Sequence, residues 1–137
     1  MTVAPRPDSL VAERLGPGDL VETFAFLDRD PVLNVYLEAL LLRDALGRPQ
    51  DEFWGVRRDG AWCAVVYLGG TSGAVLPVGD DPAALRALGR TAVERLPRPQ
   101  RFQIIGARAA VDPFVERFAR GGLLPRLDRP QTYMVLE

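Results

Sequence analysis

The chain of 137 residues contains no histidine, no lysine and a single cysteine, Cys63. Each absence removes a class of chemistry. Without histidine the chain lacks the commonest general base, the commonest metal ligand and the usual partner of a catalytic serine or cysteine. Without lysine there is no Schiff-base nucleophile and no phosphate-gripping P-loop lysine. One cysteine supplies neither a disulfide framework nor a thiolate-rich metal site. A catalyst made from this chain alone would have to use carboxylates, Cys63, a tyrosine or backbone groups. No apolar run is long enough to span a bilayer, and Met1 to Ser9 has no apolar core of the kind a signal peptide needs. A cytoplasmic location is the expectation. The 17 basic and 18 acidic residues leave a net charge of −1, which offers no electrostatic footprint for nucleic acid or an anionic membrane.

What is present is ordinary for one globular domain: 47% hydrophobic and 26% charged residues on a chain too short for two typical units. Residues 1–8, with Pro5 and Pro7, read as a flexible lead-in, and 9–137 as a single domain. Ser9 to Leu15 reads as a first strand. Gly16-Pro17-Gly18-Asp19 starts a helix, Leu20, Phe24 and Leu27 recurring on its buried face. Asp30-Pro31 opens a second helix with Asp30 as N-cap, ended by Gly47 and Pro49. Its apolar residues, among them Val32, Val35, Tyr36, Leu37 and Leu41, cover more than one face, which predicts burial on two sides or a partner surface. Asn34 on this helix needs a partner when buried and is read as capping a loop or backbone group.

The middle of the chain predicts an antiparallel meander. Glu52 to Val56, Ala61 to Leu68 and Ala74 to Val78 are its strands, with the turn chemistry of a hairpin at Arg58-Asp59-Gly60. Asp80-Asp81-Pro82 then caps a third helix, Ala83 to Leu96. Phe102 to Ile105 is a short strand, Asp112-Pro113 a further cap opening a helix to about Arg120, and Thr132 to Leu136 a last strand. The order is βααβββαβαβ, an α+β fold with a mixed, mainly antiparallel sheet flanked by helices.

That order, and four segments within it, resemble the GNAT superfamily of acyl-CoA N-acyltransferases. The segments are Leu27 to Val35, Glu52-Phe53-Trp54-Gly55, Val75 to Gly79 and Ile104-Ile105-Gly106. Together they are similar to the domain of unknown function that precedes the acetyltransferase domain in a group of bacterial GNAT proteins. The resemblance implies a GNAT-like half followed by a second half that carries the acetyl-CoA signature. It also implies a partner, a second GNAT domain in cis docked through Thr132 to Leu136; the apolar excess of the chain points to a homodimer mate as the other choice.

The superfamily binds acetyl-CoA on an Arg/Gln-x-x-Gly-x-Gly/Ala loop whose backbone N–H groups receive the pyrophosphate. The equivalent loop here, Pro77 to Ala83, has one glycine, no preceding arginine or glutamine, a proline that removes an N–H and two aspartates. Asp81 as N-cap would direct its carboxylate at the donors a phosphate needs. The loop is therefore read as plugged, the chain as a non-catalytic partner or regulatory half, and no cofactor is expected. The alternative is a working N-acetyltransferase with a divergent loop. There the backbone of Leu76, Val78 and Gly79 would hold acetyl-CoA, and Glu52 or Tyr67 would handle the proton. A third reading is a small-molecule binding module that uses the cleft without chemistry. Cys63, in the central strand with no histidine to activate it, is read as a small buried hydrophobe.

Overall fold

The computed structural model describes residues 10–70, 72–96 and 102–120. The lead-in, the prolines after the third helix and the last strand at Thr132 to Leu136 lie outside the described residues. Within them the order is β1 (Glu13–Arg14), a 3-10 turn (Pro17–Asp19), α1 (Leu20–Leu27), α2 (Val35–Leu42), a second 3-10 turn (Ala45–Gly47), β2 (Asp51–Arg58), β3 (Ala61–Gly69), β4 (Ala74–Gly79), α3 (Pro82–Arg95), β5 (Gln103–Ile104) and α4 (Arg108–Arg120). These are the expected elements in the expected order, as far as the end of α4.

The sheet runs β1-β2-β3-β4-β5, antiparallel except for the parallel pair β4–β5. Asp59 and Gly60 both adopt positive φ, 52° and 82°, so the β2–β3 hairpin closes on the two-residue turn that Asp-Gly favours. Side-chain alternation sends Phe53, Val65 and Tyr67 into a core under α1 and α2, and Val56, Val66 and Val75 into a second core under α3 and α4. β3 is buried on both faces, which is why it reads as continuously apolar rather than alternating. A register shift between Val56 and Arg57 leaves Cys63 as the unpaired residue between Trp62 and Ala64.

Four boundaries differ from the sequence reading. β1 is a two-residue strand rather than Ser9 to Leu15. The second helix begins at Val35: Asp30 accepts from the Leu33 N–H at 3.2 Å and so caps a preceding turn, not the helix itself. That helix ends at Leu42, with the left-handed position taken by Asp44 (φ 64°) rather than by Gly47. Asp112 is not a cap, because α4 already starts at Arg108 and holds Pro113 inside it. Asp112 lies 3.5 Å from Arg108 one turn earlier, and the ring of Pro113 costs one helical hydrogen bond that tertiary packing of Phe114 and Phe118 offsets.

Candidate functional site: the wedge between the fourth and fifth strands

β4 and β5 pair in parallel only over Ala74–Gln103 and Val75–Ile104. The last ladder bond runs from the Ile105 N–H to the Val75 carbonyl, 2.9 Å. Beyond it Pro77 has no N–H to offer, so the ladder cannot continue on that side. β4 runs on to Gly79 while the segment after β5 turns at Gly106 into α4. The strands splay, and a cavity of about 70 Å³ opens between them. Gly106 borders it closely, since a Cβ there would lie 3.0 Å from the Pro77 carbonyl oxygen. Asn34, Tyr36 and Leu37 close the cavity from the α2 side, and Ala107 and Ala110 from α4. The opening lies beyond the carboxyl ends of two parallel strands, where open sheets place their ligands.

Leu76, Val78 and Gly79, singled out from the sequence, all line this wedge. Their backbone groups divide by parity. Because Val75 turns its carbonyl towards β5, Pro77 and Gly79 face the same side. Leu76 and Val78 stand opposite Tyr67 and Val65, so their N–H and C=O groups belong to the β3 ladder. The wedge therefore meets the side chains of Leu76 and Val78 and the main chain of Pro77 and Gly79. Gly79 has a φ of 141° and approaches β3 so closely that a Cβ would lie 2.8 Å from the Cys63 carbonyl oxygen.

The N-terminus of α3 is occupied by the protein itself. Asp81 Oδ1 accepts the Ala84 N–H at 3.2 Å. The same carboxylate pairs with Arg58, Nε to Oδ2 and Nη2 to Oδ1, the latter at 3.4 Å. The Arg58 hydrogen bond, against a smaller opposing effect of burial, holds the Asp81 carboxyl below the usual carboxylate range. Pro82 at the first helical position removes one further donor.

Neither Glu52 nor Tyr67 lines the wedge, although Tyr67 stands opposite Leu76, which does. Glu52 receives two hydrogen bonds from Arg95, at 3.0 and 3.1 Å, and one from Trp54 Nε1 at 2.8 Å. Burial acts to raise its carboxyl, but the Arg95 and Trp54 donors outweigh it and leave the group below its ordinary value. The Tyr67 hydroxyl donates to Asp51 Oδ1 at 2.7 Å. Burial, reinforced by the Asp51 carboxylate, pushes this phenol well above the ordinary tyrosine range. Cys63 Sγ lies 3.3 Å from the Val56 carbonyl oxygen, and burial raises the thiol, which keeps it protonated at neutral pH.

Asn34 is 5% exposed and donates through Nδ2 to the Leu27 carbonyl at 3.0 Å, tying α2 to the last turn of α1. The residues that sequence reasoning missed are the cationic partners Arg58 and Arg95 and the α4 wall at Ala107 and Ala110. The arginines pair across 23 and 43 positions, for which no periodicity gives a signal. Among the described residues there is no group of three or more His, Cys, Asp or Glu side chains that could hold a metal ion, and no helix long and apolar enough to cross a membrane.

No protein-family model and no curated protein matches the chain. Among solved structures it is similar to the crystal structure of a ribosomal-protein-alanine N-acetyltransferase from Brucella melitensis biovar Abortus 2308. The identity is 18% and the TM-score 0.47, over 93% of this chain and 100% of that one.

Proposed function

We propose that the chain is an N-acetyltransferase-type, GNAT-like domain whose cofactor loop is filled by its own carboxylate, and that it acts as the non-catalytic partner half of an acetyltransferase. One observation carries the reading: Asp81 holds the Ala84 N–H and the Arg58 guanidinium together at the start of α3. A pyrophosphate arriving there would have to displace that carboxylate and would lose its arginine to it. The positions of Glu52 and Tyr67 support the same reading. The first is neutralised by Arg95 and the second is a poor proton donor outside the wedge. A partner role is supported by α2, which buries Leu37 and Leu41 yet leaves Val35, Tyr36 and Leu42 at least 49% exposed on its other side.

Calorimetric titration with acetyl-CoA tests the proposal. The expected result is no binding heat, with association detected instead on adding an acetyltransferase domain in trans. Micromolar acetyl-CoA binding that a bulky substitution at Gly79 abolishes would overturn it in favour of a working transferase.

A further inference from the structure

The second helix is apolar on two sides, and the fold uses one of them. Leu37 and Leu41 are buried in the core beneath α1 and α2. On the opposite side Val35 is 63% and Leu42 73% exposed, with Ala39 between them. The turn before the helix is closed by the Asn34 N–H on the Asp30 carbonyl at 3.1 Å, a helical bond. That turn extends the same side by Val32, which is 50% exposed. Val32, Val35, Ala39 and Leu42 follow one another at steps of three, four and three, the spacing of a coiled-coil seam.

The flanks of this seam carry opposite charges that the fold leaves unspent. At about 100° per residue, Glu38 falls on one flank and Arg43 on the other. Glu38 Oε1 is buried without a hydrogen-bond partner. Arg43 makes its hydrogen bonds through the main chain, its carbonyl accepting Arg48 Nη2 at 2.7 Å. Among the described residues neither side chain is in an ion pair. Their spacing chooses a partner and a direction. In a parallel helix pair a residue before the seam meets the residue five positions later on the other helix, and Glu38 and Arg43 stand at that step. An antiparallel pair would set Glu38 against Glu38 and Arg43 against Arg43.

We infer that a second copy of this chain covers the seam, its α2 lying parallel to the first about a two-fold axis. Val32, Val35, Ala39 and Leu42 meet their own copies, and Glu38 meets the partner's Arg43 twice over. The seam is short, roughly 16 Å long. Interfaces below about 1,200 Å² in total are weak and transient, so the dissociation constant should be on the order of 100 μM. The inference deepens the partner role proposed above and rests on it only in taking α2 as the docking face. Acetyl-CoA binding at the α3 loop would overturn that role and leave this pairing standing.

Sedimentation equilibrium of the full chain, up to about 1 mM, tests it. Leu42→Asp, at an exposed position, should leave the thermal melt unchanged and weaken pairing at least tenfold. Glu38→Arg and Arg43→Glu should each pair about tenfold more weakly alone, and their equimolar mixture should recover the parent's affinity. Leu42→Cys reads the direction. Parallel pairing sets position 42 opposite itself, so oxidised glutathione should yield a disulfide dimer that the parent, with half-buried Cys63 alone, does not form. Antiparallel pairing would keep the two thiols roughly 10 Å apart, beyond the reach of a disulfide. A parent chain that stays monomeric, a Leu42→Asp variant that pairs like the parent, or the absence of the Leu42→Cys dimer would each overturn the inference. So would a monomeric chain whose capture of an acetyltransferase domain is abolished by Leu42→Asp, since the seam would then belong to that partner.

Discussion

Replacing Gly89 by alanine would test how the α3–α4 layer is held against the sheet. Gly89 lies inside α3, where a Cβ would come within 3.2 Å of the Phe114 carbonyl carbon and 3.5 Å of its Cα, with the carbonyl oxygen nearer still. All three atoms belong to the backbone of α4, so no side chain can swing aside. A carbon approaches a carbonyl oxygen to about 3.3–3.6 Å, so the helices would have to part by roughly 1 Å. A gap of that size forfeits a quarter to a half of each pairwise attraction it opens, across an interface that includes Leu85, Leu88, Phe114 and Phe118. Overpacking of this kind costs about 1–3 kcal/mol, and a main-chain obstruction belongs at the upper end. Alanine regains about 1 kcal/mol through helix propensity. The net loss should be about 1–2 kcal/mol, a fall in melting temperature of roughly 3–8 °C for a chain of this length. Urea denaturation of Gly89→Ala beside Gly18→Ala reads it out. Gly18 has nothing within 4 Å of its would-be Cβ, so its variant should be neutral or slightly stabilised. If Gly89→Ala is as stable as the parent while Gly18→Ala behaves as expected, the close approach of α3 and α4 through this glycine is wrong.

Two other substitutions address the charged contacts. Asp81→Ala should cost about 1–2 kcal/mol at neutral pH through loss of the α3 cap. Because the folded-state carboxyl lies below its ordinary 3.8, this stability is present above that pH and disappears as pH falls through the folded value, so the urea midpoints of variant and parent should converge in acid; a constant gap would contradict the assignment. Arg57→Lys keeps a charge beside Glu13, Glu22 and Asp19 but loses the flat guanidinium stacked 3.7 Å from the Trp62 ring centre. The expected loss is about 1 kcal/mol with a shifted tryptophan emission, and a thermal melt identical to the parent's would show that the stack contributes nothing.

The parts legible in the sequence are those with a local signal. The β2–β3 hairpin follows from Asp59-Gly60 and from strand patterning, and the α3 start from Asp81-Pro82. The same Asp-Pro signal misled at Asp30 and Asp112. Pro113 is tolerated inside α4 because Phe114 and Phe118 anchor the helix on α3, and tertiary packing of that kind leaves no local trace. Leu76, Val78 and Gly79 belong to a segment that the chain order alone picks out. Which of their atoms face the wedge depends on ladder parity across β3 and β5, and that is fixed only once both strands have docked. Asn34 was legible as a polar residue needing a backbone partner. That its nitrogen finds the Leu27 carbonyl, seven positions earlier at the end of α1, is a matter of three-dimensional placement alone.

Arg57 and Arg58 are neighbours at the end of β2, and the strand's alternation sends them to opposite faces of the sheet. Arg57 reaches Asp19 and Glu22 at the start of the α1 layer, and Arg58 reaches Asp81 at the start of α3. A single tight turn thus fastens both helical layers, like a rivet through three plates. Cutting the chain between Asp59 and Gly60 to make a circular permutant would slacken both layers together. A cut at Ser72–Gly73, between β3 and β4, would leave both fastenings in place, and so that loop is the better place to open this domain or to graft another into it.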